Sequence, residues 1–360
     1  MKQRHYFDHN ATTPISREVL DAMMPALTEV YGNASSLHHF GQTARKMLDT
    51  ARREVAAFLG AKAEQIVFTS GGTEADQLAV LGRPHVITTT IEHPAVLNAA
   101  KQIEEATFVR VDSRGVADPD DIRKALRPGV SLISVMHANN ELGTIQPIAE
   151  IARIAREAGV DFHSDGVQAL GKIPVNVREL RVDFYSMAAH KIYGPKGVGV
   201  LVTKGRTRRA GTDNVAGAVG FAAALRWETQ HGAEEAKRVE ALRDRLEQSV
   251  LDRIPDVHVN GAGALRVPNT SNLRFDGIDS EPLLIALDLR GFAVSSGSAC
   301  SSGAQEPSHV LQAIGLTKEQ ARSSIRVSLG RSNDAAQIDA LVDALVECVA
   351  HLRKLAPAYA

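Results

Sequence analysis

The chain predicts an α/β protein with a mainly parallel sheet, followed by a smaller α+β region. Two observations carry this. Helical patterns alternate with short β-rich runs through most of the chain, as βαβ units require. A long charged helix, at about 221–251, then separates these units from a last group of strands with helices between and after them.

Taken in order, residues 19–30 and 41–59 read as helices. Ile66-Val67-Phe68-Thr69 reads as a strand, closed by a Gly-Gly turn and followed by a helix from Thr73. A second strand, His85-Val86-Ile87-Thr88-Thr89, leads to a helix from Pro94. Residues 130–136 form a buried strand and 148–158 a helix; 160–163 and 184–187 are further strands. Beyond the long helix come the β-rich runs 257–259, 270–275 and 325–328.

Composition narrows the function. The chain has 360 residues, enough for a large core and one or two domains. Its 41 basic and 42 acidic residues balance, which argues against an electrostatic nucleic-acid binder. No apolar run approaches the ~20 residues of a membrane span, and the start lacks the apolar core of a secretory signal. The two cysteines, Cys300 and Cys348, make no disulfide framework and fit a reducing cytoplasm. They also lie far apart in unlike contexts, so no intrinsic metal site is expected. Cys348 sits on an amphipathic helical pattern and reads as packing.

Several short motifs carry chemistry. In Ala188-Ala189-His190-Lys191-Ile192-Tyr193-Gly194-Pro195 an apolar strand runs straight into a lysine. A lysine at a strand end can form an imine with a carbonyl cofactor; together with the runs around Asp165 and Cys300, it suggests pyridoxal-phosphate chemistry ending at a nucleophilic thiol. Asp165-Gly166-Val167-Gln168 follows a strand; its carboxylate suits a pyridine nitrogen, or caps a helix. Ser70-Gly71-Gly72-Thr73-Glu74 suits an anion cradle, or an ordinary turn with Thr73 as the cap. His93, just before a helix, suits ring stacking and proton movement, or capping. The amides of Asn139-Asn140 suit polar recognition, or a turn. Arg326 suits a carboxylate clamp, or a surface salt bridge on a strand. Cys300 lies in Ser295-Ser296-Gly297-Ser298-Ala299-Cys300-Ser301-Ser302-Gly303, a small-residue loop rather than an apolar helix face. That setting suits a travelling nucleophilic thiol.

The ordered set of these motifs resembles the cysteine desulfurases, the NifS/IscS-like branch of the fold-type I pyridoxal-phosphate enzymes. The likeness runs almost end to end. It takes in Phe7-Asp8-His9-Asn10-Ala11-Thr12-Thr13-Pro14, Gly32-Asn33-Ala34-Ser35-Ser36-Leu37-His38, the Gly-Gly-Thr-Glu turn, Glu92-His93-Pro94 and Asn139-Asn140-Glu141. It continues through His190-Lys191, Arg209-Ala210-Gly211-Thr212, the Cys300 loop and Glu306-Pro307-Ser308-His309.

The resemblance implies a fold-type I transferase with a seven-stranded, mainly parallel sheet. A large domain is expected at 14–248, and a small α+β domain at 1–13 and 249–360 carrying the Cys300 loop. It implies pyridoxal phosphate held on Lys191, with Asp165 at the pyridine nitrogen and Gln168 at the ring hydroxyl. His93 would stack on the ring and assist proton transfer, with Asn140 beside it. Gly72, Thr73 and His190 would hold the phosphate, with Thr212 supplied by a second subunit of a homodimer. Asn33, Asn140 and Arg326 would bind the substrate, L-cysteine. Cys300 would take its sulfur as a persulfide and release alanine. The sulfur would pass to an iron–sulfur scaffold or sulfur-carrier protein, or toward tRNA thiolation, in the cytoplasm. A transient iron–sulfur cluster on Cys300 is the one metal contact the resemblance admits. Selenocysteine lyases, other enzymes of the same scaffold and a catalytically silent assembly protein are the alternatives. The chain departs from the family pattern at Ala188, where the family usually has a serine, and in two short links, 81–85 and 204–208.

Overall fold

The computed structural model describes residues 4–205, 210–296 and 307–355. Its strands in chain order are β1 (His5–Tyr6), β2 (Ile66–Thr69), β3 (His85–Thr89), β4 (Glu105–Val109), β5 (Leu132–Ser134), β6 (Asp161–Asp165), β7 (Phe184–Ala188), β8 (Gly199–Val202), β9 (Val257–Val259), β10 (Thr270–Phe275), β11 (Phe292–Ala293) and β12 (Ser324–Ser328).

Seven of them form one sheet in the order β2-β8-β7-β6-β5-β3-β4. Adjacent strands from β7 through β4 are parallel, and β8 runs antiparallel to both its neighbours. The strands β3, β5, β7 and β8 are buried along their whole length, as a sheet covered on both faces requires. In a sheet of this kind the carboxyl ends of the parallel strands form a crevice where ligands bind.

The remaining strands pair separately. β9, β10 and β12 make an antiparallel sheet with β10 in the middle, and β1 pairs with β11 in parallel. Their core includes Phe7, Leu273, Phe275, Ile325, Val327 and the buried face of the helix Ala335–Leu355. Cys348 is part of that core, 1% exposed, in keeping with a packing role.

The long helix starts earlier than the sequence suggests, running Val215–Arg253. Its first part packs Ala218, Phe221 and Leu225 into the core beside the large sheet. Its last part packs Val239, Leu246 and Val250 into the second core. One rigid helix therefore serves both cores. Two further elements were not legible in the sequence. β4 is an edge strand with an exposed, partly polar pattern, and the helix Pro119–Ala125 is only two turns long. Among the described residues no helix is long and apolar enough to cross a membrane.

Candidate functional site

A cavity of about 360 Å³ opens at the carboxyl ends of the parallel strands. The topology brings its lining there from far apart in the chain. β6 ends at Asp165, β7 runs through a short 3₁₀ turn to Lys191, and β3 and β5 lead into His93 and Asn140. β2 leads into Gly72 and Thr73, and β12 contributes Arg326. Gln168 and His190 complete the expected set lining the cavity.

Lys191 is fixed by the segment after β1. Its Nζ donates to Asn10 O, and to Ala11 O at 2.8 Å. The backbone is pinned from the same segment: Thr13 N donates to His190 O at 2.8 Å, and Tyr193 N to Thr13 Oγ1 at 2.8 Å. These bonds hold the chain where Tyr193 takes a positive φ of 65°, a strained value for a bulky residue.

Asp165 is 5% exposed, and its Oδ1 accepts the Val167 N–H at 2.9 Å. Burial pushes its carboxyl up to about 6; the Val167 N–H and the charge of Lys191 oppose that rise. Behind it Asp76 is 1% exposed, lines the same cavity, and is pushed well above the usual carboxyl range by burial and by Asp165. Two buried carboxyls near one another favour a cationic group beside them in the cavity.

His93 caps the helix Pro94–Ala100: its Nδ1 accepts the Ala95 N–H at 3.1 Å. Burial, then the charges of Lys191 and His309, hold its pKa down to about 4, so the ring is neutral near pH 7. With Nδ1 occupied as an acceptor, the neutral ring carries its proton on Nε2. Capping and a chemical role are thus compatible, because they use different nitrogens. His190 is likewise lowered to about 4, by burial and then by Lys191 and Lys196; its Nδ1 lies 3.1 Å from Thr12 Oγ1.

The helix Gly72–Val80 begins at the cavity, and its cap is Gly71 without a side-chain bond. Thr73 is therefore not the cap; it lies inside the first turn, where its N–H and hydroxyl remain available to an anion. Gly72 is required for close approach, since a Cβ there would sit 2.8 Å from Val167 Cγ2. Ala188 closes this side, 1% exposed.

Arg326 is 3% exposed, so it is not a surface ion pair. It donates from one terminal nitrogen to Asn140 O at 3.0 Å and from the other to Asp8 Oδ1 at 2.7 Å, while its Nε is buried without a hydrogen-bond partner. The two amides divide the alternatives between them. Asn139 Oδ1 accepts from the N–H groups of Glu141 and Leu142 and builds the turn. Asn140 faces the cavity.

Asn33 and Thr212 are exposed and do not line this cavity within one protomer. Asn33 Oδ1 accepts from Ser35 N at 2.9 Å in a surface turn. Cys300 lies outside the described residues. Pattern reading passed over Asn10, Asp76 and Lys172. Asn10 lies inside a quoted run, but its partners Gln168 and Lys191 are 158 and 181 positions away, so no local spacing marks it.

The site fits pyridoxal phosphate. A lysine stands beside buried carboxyls, a glycine cradle opens a helix N-terminus, and a buried guanidinium nitrogen lacks a partner.

Comparison with known proteins agrees. The model of the class-V aminotransferase family matches residues 5–208 and 202–341. A cysteine desulfurase IscS of Dictyoglomus turgidum is 44% identical over 99% of this chain and 97% of its own. A cysteine desulfurase of Nostoc sp. is 46% identical over 98% of this chain and 94% of its own. Among solved structures, a NifS-like protein superposes with a TM-score of 0.89 at 34% identity, over 97% of this chain and 100% of its own. One from Rickettsia africae gives 0.87 at 31% identity, over 96% and 99%. The fold and the family match define a class-V aminotransferase fold of the fold-type I class. The chain belongs, within that family, to the cysteine desulfurases.

Proposed function

We propose that the protein converts L-cysteine to L-alanine with pyridoxal phosphate bound on Lys191, and leaves the sulfur as a persulfide on Cys300. The observation that carries this reading is Lys191 standing with Asp165, His93 and Arg326 around one cavity, in a chain of this family.

Pyridoxal phosphate, when bound, supplies an aldehyde that captures amines and a ring that takes up electron density. Lys191 would be its attachment point and would move a proton at Nζ once released. Asp165 would pair with the pyridine nitrogen, and Gln168 would donate from Nε2 to the ring hydroxyl. The N–H groups of Gly72 and Thr73, the Thr73 hydroxyl and His190 would hold the phosphate. Ala188 supplies no hydroxyl there, so the grip rests on those groups and on Thr212 of a second copy. His93 would lie against the ring and hold its proton at Nε2. Arg326 and Asn140 would bind the substrate carboxylate; the unpartnered Arg326 Nε supports this role, while Asn33 would reach a second copy's substrate.

The Cys300 thiolate attacks the substrate sulfur. The substrate's Cβ–S bond breaks and its electron pair stays with the carbon fragment, which takes up protons and leaves as alanine. Cys300–SH and cysteine thus give Cys300–S–SH and alanine, with no external oxidant. The persulfide sulfur then goes to an iron–sulfur scaffold or sulfur-carrier protein. A homodimer in the cytoplasm completes the reading. The exposed apolar side chains Tyr31, Leu37 and Phe40, near Asn33, support the dimer.

Purified protein should be yellow and Lys191→Ala colourless. Cys300→Ser should keep the colour and respond spectrally to L-cysteine, yet form almost no alanine. Cys348→Ser should turn over nearly as wild type. Alanine release and the mass of the Cys300 peptide check this. Turnover by Cys300→Ser at the wild-type rate would sink the persulfide route.

A further inference from the structure

Lys172 follows the Asp165–Gln168 loop in a tight turn, its N–H donating to Ala169 O at 3.1 Å. Its Nζ donates to Asn10 Oδ1 at 2.9 Å and to Gln168 Oε1. The other end of the same amide, Gln168 Nε2, donates to Asn10 O at 3.0 Å. A glutamine amide has two ends of nearly equal size and opposite hydrogen-bonding sense. Turned over, Gln168 would set its NH₂ against the donor on Lys172 and its oxygen against a carbonyl oxygen. Both contacts would be repulsive, so the orientation is locked twice.

The lock is itself anchored. Asn10 Oδ1 also accepts from Asn269 Nδ2 at 3.0 Å, and Asn10 Nδ2 donates to Thr270 Oγ1 at 2.8 Å and to Asn140 O at 3.1 Å. Asn10 therefore cannot follow Lys172 if the lysine moves. Gln168 is 5% exposed and lines the cavity, and each of its amide hydrogens serves one acceptor. Asn10 O takes one. The other remains for a guest.

We propose that Lys172 is a positioning residue: held against Asn10 Oδ1 and Gln168 Oε1, it fixes the Gln168 amide so that Nε2 is presented to a hydrogen-bond-accepting oxygen of the bound cofactor. The proposal rests on the cavity being a pyridoxal-phosphate site, where the ring hydroxyl is that oxygen. Burial, then Lys191 and Arg326, push Lys172 well below the usual lysine range. An ammonium can only donate, so in that state both contacts of a turned-over amide are repulsive; a neutral amine still donates to Gln168 Oε1, and Asn10 O then sets the orientation.

The test compares wild type, Lys172→Met, Gln168→Leu and the double variant, each reloaded with pyridoxal phosphate. The readouts are the cofactor dissociation constant and the pH midpoint of its visible absorption band. Each single variant should weaken binding about tenfold and move the midpoint in the same direction. The double variant should be no worse than either single one, within about twofold, because one interaction is removed in all three. Lys172→Arg, which keeps N–H donors, should recover most of the loss. A Lys172→Met protein with wild-type affinity and midpoint overturns the proposal, and so does a double variant whose losses multiply. If Lys172→Met does not fold, Lys172→Gln takes its place: a midpoint displaced toward that of Gln168→Leu supports the lock, and a wild-type midpoint overturns it. A wild type that takes up no pyridoxal phosphate overturns the cofactor reading and the proposal with it.

Discussion

Glu92 shows how a single buried carboxyl beside the site governs pH behaviour. It is fully buried, with Thr89 Oγ1 donating to Oε1 at 2.6 Å and the Met136 N–H shared between both oxygens. Burial pushes it up to about 8; Thr89 and Met136 oppose that and Asp165 adds to it. Between pH 4.5 and 8 the folded protein keeps a proton that the unfolded chain has lost. Stability from this group is therefore full below about 4.5 and declines as pH rises toward 8. Glu92→Gln removes the titration. Its unfolding free energy should gain on the wild type as pH rises through that window, by at most about 1.4 kcal/mol per pH unit. Urea unfolding of both proteins at pH 5 and pH 8 measures this, and parallel pH curves would contradict it. The buried histidines act in the opposite sense. His93 and His137 are lowered to about 4, mainly by burial, so their contribution is lost as pH falls below about 6.5. At the scale of residues the sequence was informative where chemistry is local. A lysine after an apolar strand and an aspartate after another were legible, because strand ends share one edge of a parallel sheet. Asn10, Asp76 and Lys172 were not, because their importance lies in contacts made only after folding.

Elements were legible where burial imposes a period. The helices His39–Leu59 and Ile148–Glu157 fall within a residue or two of the expected spans, since each has one long apolar face. The edge strand β4 escaped because its outward positions carry no pattern, and β1 and β11 are only two residues each. The turn between β2 and the helix Gly72–Val80 depends on β8 in a way no sequence window reveals. A Cβ on Gly199, at the start of β8, would meet the Gly71 carbonyl carbon at 2.5 Å and Met187 O at 2.7 Å. Both are backbone atoms and cannot swing aside. Gly199→Ala should cost about 1–3 kcal/mol and weaken binding of the proposed cofactor, since the turn proposed to hold its phosphate must move with Gly71. Gly205→Ala, where nothing lies within 4 Å of the new methyl, should be near neutral. Thermal unfolding with cofactor titration tests the pair; equal behaviour of the two variants would refute the argument.

For the whole molecule, the apolar surface near Asn33 bears on assembly. Leu37 is 90% exposed, Tyr31 73% and Phe40 51%, and the last two rings stack at 5.5 Å. Side chains of this size clustered in water suit a protein–protein contact. Light scattering should give a dimer, and Leu37→Asp with Tyr31→Asp should shift it toward monomer while lowering turnover. A monomer that turns over cysteine at full rate would remove Thr212 from the proposed phosphate contacts. The number of strands in the large sheet entered through likeness to a family, but their order was not legible, because pairings such as β2 with β8 join segments far apart in the chain.

The bonds of Asn10 have a kinetic side. Its backbone N–H donates to Ser328 Oγ at 2.9 Å and its amide to Thr270 Oγ1, both on strands of the small sheet, while its carbonyl receives Lys191 at the end of β7. Lys191 can take this pose only where the segment after β1 has met both sheets, since Asn10 bonds to strands of the small one and to the lysine at the end of β7. Cofactor capture should then be the final event of refolding. In a stopped-flow experiment from denaturant with cofactor present, helical circular dichroism would recover first. Visible absorbance would return only with the slowest phase, and Asn10→Ala would lengthen that lag without slowing the earlier signal.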